Sequence, residues 1–370
     1  MKGIFVILLT GIAVSASSTD IKTSLFYGKN IESVVVSFTQ GSYTITGNEK
    51  VIARSNRNRI LHIDLSDSSL IVNDENGSYG PFYKVSFIPE DSNCVFMVRP
   101  VFRALLPVES DDRLDITSAN GFLMLINTIG LEKYISGIVE AEGGPSALPE
   151  FYKAQAVLAR TYAVRNYYRH AHQGFNLCDG VHCQAFNGKS RMNKDIYIAV
   201  EETESQILTD KSGVPVMTAY HSSCGGMTAS AAIEWNRELD YLVPIADPFC
   251  NRSKNRNWSK NIPIQEWNAY LEKTGNKENQ DFAGGEKGRI KYLDITTKSI
   301  LLTDIRMQFN LKSSWFHIEN NGTYVTIKGH GYGHGLGLCQ EGAMEMARVG
   351  YNYVDILMFY FRGVELVNRD

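Results

Sequence analysis

GFLMLINTIGLEKYISGIVEAEGGPSALPEFYKAQAVLARTYAVRNYYR, Gly121 to Arg169, holds the transition on which the fold of this chain turns. Phe122 to Ile126 has the makings of a strand. After it, Leu131, Tyr134, Ile135 and Ile138 stand at i, i+3, i+4 and i+7, which is one face of a helix. Gly143-Gly144-Pro145 stops that helix abruptly. A second helix is predicted from Pro149, an acceptable first-turn residue, to Arg169, with Phe151, Ala154, Leu158 and Tyr162 as its apolar stripe. Lys153 and Arg160, seven apart, emerge on one face two turns from each other. Glu142 sits on the sharp turn between the helices, where two glycines allow a ligand to approach the backbone closely.

Working outward, Ser24 to Thr117 is mostly of period two. Val34, Val36 and Phe38 alternate, as do Leu61 with Ile63 and Val85 with Phe87, and Asp/Asn/Gly/Ser clusters separate the runs. That pattern predicts antiparallel strands. Beyond Val200 come short strands, a polar stretch over 251–287 with a small helix near Trp267, glycine-rich Gly329 to Gly342, and a terminal helix at Tyr353 to Tyr360. The expected class is α+β: a mixed fold with a helix pair and antiparallel strands in the catalytic-type domain, preceded by a β-rich N-terminal region. The expected division is a leader at 1–16, a β-rich region at 17–117, and a second unit at 118–370 that carries the polar insertion.

The 370 residues carry 37 Lys+Arg against 40 Asp+Glu, a net charge of −3, with 44% hydrophobic and 21% charged residues. Such a balance excludes wholesale disorder. It also argues against a nucleic-acid coat or an anionic-membrane binder, which need concentrated positive charge. Met1-Lys2, an apolar run from Gly3 to Val14, and small residues at Val14-Ser15-Ala16 have the layout of a secretory signal peptide. An uncleaved anchor is the competing explanation. No later segment approaches 18 uninterrupted apolar residues, so no span is expected after signal removal, and the protein is expected to be exported to the periplasm or cell envelope.

Export permits disulfides, which changes how the six cysteines are read. His172, Cys178, His182 and Cys183 put two thiols and two imidazoles within twelve residues. They suit a closed, structural zinc shell, and a Cys178–Cys183 disulfide with bystander histidines is the alternative. Cys224 and Cys250 flank one short region and form a candidate disulfide. Cys94 and Cys339 have no evident partner.

Three places offer chemistry. Glu142 is a candidate acid, or else a solvated turn residue. His330-Gly331-Tyr332-Gly333-His334-Gly335-Leu336-Gly337 presents two histidines in a loop, without the Lys-Ser/Thr pair of a phosphate loop. His221-Ser222 hints at a nucleophile pair, but strand neighbours point to opposite faces, so it is read as a binding element.

Ile138-Val139-Glu140-Ala141-Glu142, followed by Lys153 to Tyr162, is similar to the core motif of the stage II sporulation protein D (SpoIID) family. The resemblance continues through Cys178 to Gln184, His221-Ser222 with Gly225-Gly226, Trp235, and Asp304-Ile305-Arg306. Gly333-His334-Gly335-Leu336-Gly337 and Gln340-Glu341-Gly342-Ala343 complete it, so that it spans about Gly121 to Leu366. What it implies is a peptidoglycan lytic transglycosylase. Such an enzyme cuts the MurNAc–GlcNAc bond of peptide-free glycan strands and leaves 1,6-anhydroMurNAc ends. On this resemblance Glu142 is general acid then base, and Lys153 and Arg160 are its basic partners. His221, Ser222, Tyr332, His334 and Gln340 are expected to bind substrate with them. Zinc is expected on His172, Cys178, His182 and Cys183. The family also includes amidase enhancers, which implies the alternative of a non-catalytic glycan binder that stimulates a cell-wall amidase. The chain departs from the family pattern at Gly143-Gly144, where Met-Pro is common, and at Glu341, where a Tyr is usual. The second exchange is expected to remove a stacking face from the sugar cleft.

Overall fold

A computed structural model describes residues 19–55, 59–101, 104–276, 289–293 and 299–369. The leader assigned to residues 1–16 lies outside the described residues, as does the 277–287 part of the polar insertion. The fold is α+β.

Two sheets, antiparallel but for one short parallel pairing, build the first half. One has seven strands, with Phe122–Gly130 flanked by Asp20–Leu25 on one side and Arg113–Ala119 on the other. The other has six strands centred on Ser33–Gln40 and Ile60–Ser66. Inward residues of both sheets (Val34, Val36, Ile45, Phe87, Leu125) join one buried core. In Phe122–Gly130 every second residue is buried: Leu123, Leu125, Asn127 and Ile129. The one polar member is satisfied, because the Asn127 amide donates to the carbonyls of Asp111 (2.8 Å) and Arg113 (3.0 Å).

No physical break falls at 117/118. Arg113–Ala119 and Phe122–Gly130 are paired across it, and Asp20–Leu25 closes the far side of Phe122–Gly130. The first strand also pairs in parallel with Leu177–Cys178, and the Asp179 carboxylate accepts the N–H groups of Phe26 and Tyr27. The β-rich region therefore shapes the segment that carries Cys178, which no local pattern in the sequence could reveal.

Helix α1 (Leu131–Gly143) and helix α2 (Pro149–Arg165) follow as an antiparallel pair. α1 buries Leu131, Tyr134, Ile135, Ile138 and Val139, the face its periodicity predicts. It stops where Gly144 takes a φ of 72°, a left-handed conformation that costs glycine little. α2 is four residues shorter than predicted and buried almost all round, including Gln155 and Arg160. It packs against α1, against α3 (Lys194–Glu202), and against the C-terminal helix Tyr353–Tyr360.

Gly137 lets α1 approach the following loop. A Cβ there would stand 2.3 Å from the Gly188 carbonyl oxygen and 2.6 Å from the Phe186 ring. Backbone cannot yield as a side-chain tip can. Gly137→Ala is expected to cost about 1–3 kcal/mol, an overpacking penalty, which urea or thermal denaturation would read.

A second, separate core gathers Ile262, Trp267, Leu271, Ile305, Phe309, Phe316, Val325 and Ile327. Its scaffold is a three-stranded sheet (Asn257–Pro263, Tyr324–His330, Phe316–Asn320), with helices Ile264–Lys273 and Leu302–Gln308. The start of the polar stretch thus belongs to a packed lobe, and the predicted helix near Trp267 is its Ile264–Lys273 element.

Candidate active site

Glu142 stands in the last turn of α1, and its side chain lines a cleft of about 610 Å³. Tyr162, Tyr220 and Trp235 supply aromatic wall, and Arg169, Arg237, Gln184 and His334 supply polar groups. Three contacts fix the glutamate. Its Oε1 accepts the Ala185 N–H at 2.8 Å. Its carbonyl accepts from Gln340 Nε2 at 3.0 Å. The half-buried Tyr220 hydroxyl stands between the Glu142 carboxyl group and Gln184 Oε1 (3.2 Å), with one proton to share between them. Burial raises the Glu142 pKa above the ordinary carboxyl value, against the lowering pull of the Ala185 N–H and the Tyr220 hydroxyl. Among the described residues lining the cleft, Glu142 is the one carboxylate.

Lys153 and Arg160 do share one face of α2, but that face turns toward α3 and away from Glu142. Lys153 Nζ pairs with Glu150 and Glu202, each at 2.7 Å. The Arg160 guanidinium grips the Glu132 carboxylate at 2.6 Å and donates to the carbonyls of Gln206 (3.1 Å) and Val200 (3.3 Å). Both cations are committed to holding helices together. The guanidinium groups that do line the cleft are Arg169 and Arg237. Neither is legible as a site residue in the sequence, since each follows a motif without belonging to one.

The other expected binding residues separate into two groups. His334 lines the cleft, its ring 6.0 Å from that of Trp235. Its Nδ1 accepts the Leu336 N–H at 3.0 Å, which places the proton of the neutral ring on Nε2. Burial, with Arg306 and Arg289 adding to it, pushes its pKa down to about 4, so the ring is neutral at pH 7. Gln340 reaches Glu142 through the backbone contact above. His221 does not line the cleft; it is buried beside His334, ring centroids 5.7 Å apart, with Nδ1 3.0 Å from the Leu336 carbonyl. Ser222 faces Glu341 at 3.5 Å. Tyr332 is exposed, its ring 5.9 Å from Lys312 Nζ, and is not part of the cleft wall. Glu341 is likewise elsewhere. Its carboxylate accepts from the Asn255 amide at 2.8 Å, so its exchange for Tyr removes no face from the Glu142 cleft.

His170, Cys178, His182 and Cys183 converge beside the cleft, their ligand atoms all within 4.8 Å of one another. His170 takes the place expected for His172. The turn Ala171–Gln173 carries His172 out to solvent, whereas the His170 ring stacks on Phe175 at 4.7 Å. His170 Nδ1 is tied to Gln173 Oε1 at 2.8 Å, which leaves Nε2 facing Cys183 Sγ at 3.4 Å. Two thiols and two imidazoles, one imidazole oriented by an outer hydrogen bond, are a donor set that suits zinc. His182 and Cys183 also line the cleft, and Ala185, two residues on, makes the contact to Glu142.

Comparison with known proteins matches residues 119–209 to the family model described as SpoIID, stage II sporulation protein. An uncharacterized protein of Brachyspira hyodysenteriae is 31% identical over 261 residues, 67% of this chain and 70% of its own. The chain belongs to the stage II sporulation protein D family. Within that family, the stage II sporulation protein D of Bacillus subtilis is 28% identical over 263 residues, 66% of this chain and 76% of its own. The amidase enhancer of Bacillus subtilis is 27% identical over 291 residues, 63% of this chain and 40% of its own. The segment matched to the SpoIID family model contains both helices of the Glu142 corner, with Tyr162, Gln184 and Ala185, while Tyr220, Trp235 and Gln340 lie outside it.

Proposed function

We propose that this SpoIID-family protein acts on the cell wall as a peptidoglycan lytic transglycosylase, with Glu142 as its acid and then its base. The observation that carries this is a lone, half-buried carboxyl group in an aromatic-walled cleft, with no second carboxylate among the described lining residues. Ordinary retaining and inverting glycosidases need two carboxyl groups about 5–10 Å apart. One is sufficient when the substrate supplies the nucleophile. Glu142 gives its proton to the leaving glycosidic oxygen, and the same carboxylate then takes the proton of the muramyl 6-hydroxyl as that oxygen closes on C1. The products are a new GlcNAc 4-hydroxyl end and a 1,6-anhydroMurNAc end. Arg169 and Arg237 are suited to the substrate's lactyl carboxylate, and Trp235 and Tyr162 to sugar faces.

A bound zinc would be held by His170, Cys178, His182 and Cys183 and would serve structure, since four protein ligands leave no open position. The chain's own contribution there is to hold Ala185 and Gln184 against Glu142 and Tyr220. No helix among the described residues is long and apolar enough to cross a membrane. Work at the cell envelope, with peptidoglycan strands as partner, fits the proposed substrate.

Mass spectrometry of peptide-stripped glycan strands incubated with the mature protein tests the reading. Anhydro-ended fragments from the wild type, absent with Glu142→Gln, are expected. Intact strands from both, with glycan still retained on the protein, would instead favour a non-catalytic glycan binder that stimulates a cell-wall amidase; a Bacillus subtilis relative is named an amidase enhancer.

The pH dependence has a definite sign. The first proton transfer needs protonated Glu142, so the rate falls as pH rises through its raised pKa. Tyr220 stabilises the carboxylate, so Tyr220→Phe is expected to raise that pKa further and move the alkaline limb of kcat/KM to higher pH. A limb that stays put or moves down would separate Tyr220 from the acid.

A further inference from the structure

Cys224, Asp247, Cys250 and Cys339 meet in the interior, and nothing in the Glu142 chemistry uses them. All four are buried, and their ligand atoms lie within 4.8 Å of one another. The spacing of sulfurs around a tetrahedral zinc is about 3.8 Å, from bonds of about 2.3 Å, so the cluster needs only slight contraction to close on an ion. Cys224 and Cys250 are therefore not an isolated pair, and Cys339 has company that its place in the sequence does not suggest.

The surroundings favour thiolates. Cys339 Sγ accepts N–H groups from Cys224 (3.2 Å) and Gly342 (3.4 Å), and Cys224 Sγ accepts from Gly226 (3.4 Å). Ser223 Oγ lies 3.2 Å from Cys250 Sγ. Backbone donors aimed at sulfur suit an anionic acceptor, whereas a thiol or disulfide sulfur accepts weakly. Asp247 is oriented in the same manner. One carboxylate oxygen accepts the N–H groups of Phe249 (3.0 Å) and Cys250 (3.2 Å), while the other takes the Tyr360 hydroxyl (2.9 Å) and lies 3.2 Å from Cys224 Sγ. A disulfide would use two sulfurs and leave the third, with a buried carboxylate, uncompensated.

We infer that Cys224, Cys250, Cys339 and Asp247 form a second metal site, selective for a thiophilic divalent cation of the zinc class. Binding replaces the thiol protons, which pass to solvent, with metal–sulfur bonds; no electron is transferred. Three thiolates and a carboxylate around a dication leave a net negative charge. The N–H donors offset it, as does the Arg289 guanidinium, which donates to the Cys224 carbonyl at 3.1 Å. The ion would clamp three segments: the loop that follows strand Tyr220–His221, the turn Pro248–Arg252 with its cap Asp247, and Cys339, the cap of helix Gln340–Arg348. Gln340, next to Cys339, is the residue that holds the Glu142 carbonyl. The site is thus a staple behind the cleft, with no open position.

Metal analysis of the full chain, purified without added chelator, tests this. Wild type should carry about two zinc equivalents, one per cluster. Cys339→Ser should drop to about one. Cys178→Ser/Cys183→Ser, which dismantles the other cluster, should keep about one, and with Co²⁺ should show thiolate-to-metal charge-transfer absorption. A metal-free Cys178→Ser/Cys183→Ser protein would overturn the inference. Where either variant fails to fold, the wild type decides. No bound metal, or a mass deficit of two hydrogens with a disulfide mapped among Cys224, Cys250 and Cys339, refutes the second site.

Discussion

Glu142→Gln is expected to lower glycan cleavage by about 10²–10⁴-fold, the range that a positioned acid–base group contributes, and toward its upper end because one residue serves both proton transfers. The substitution keeps the shape of the side chain. Gln still accepts the Ala185 N–H, and the Gln340 contact is to backbone, so both of these fixing hydrogen bonds are kept. Burial that raises the Glu142 pKa disfavours a charged carboxylate, so a neutral amide there should not destabilise the fold. Thermal denaturation should therefore superimpose on wild type while anhydro-ended products disappear. Undiminished product from the folded variant would remove Glu142 from the mechanism.

Arg160→Met and Glu132→Gln are expected to act the other way, on stability and not on the chemistry. The Arg160 side chain is 1% exposed and Glu132 is 29% exposed. Removing the glutamate's charge leaves a guanidinium buried among helices with only carbonyls to satisfy it. Breaking a buried pair from one side costs about 3–5 kcal/mol, and the lower end applies here because Glu132 is partly solvated. Arg160→Met additionally orphans the Gln206 and Val200 carbonyls, at about 1–3 kcal/mol for a buried group left without its partner. Denaturation midpoints should fall for both, with kcat and KM per folded molecule close to wild type. A large rise in KM with unchanged stability would return Arg160 to the substrate site, where its motif suggested it belonged. Arg169 and Arg237, by contrast, lie in the cleft wall.

Short-range pattern carried much of this protein into view. Alternation in Ser33–Gln40 and Lys84–Pro89, the i, i+3, i+4, i+7 face of α1 and the Gly143-Gly144-Pro145 stop all lie within a few residues of what they specify. Glu142 was legible for the same reason, since a carboxylate at a helix end followed by two glycines is a local feature. The His/Cys cluster was legible to within one residue. Choosing His170 over His172 depended on a turn that packs His170 on Phe175 and exposes its neighbour.

What the sequence by itself determined is therefore the set of elements, the α+β class, the family motif and the candidate acid. Tertiary structure alone decided which way a shared face points. Lys153 and Arg160 lie together on α2 as their spacing requires, yet helix periodicity is silent on what packs there, and α3 claimed that side. It also decided partners distant in sequence: Asp20–Leu25 against Leu177–Cys178, Gln340 on Glu142, and Cys339 with Cys224, Cys250 and Asp247. Those contacts join residues tens to nearly two hundred positions apart. The physical reason is that backbone periodicity constrains neighbours along the chain, whereas such meetings are fixed by burying one continuous core.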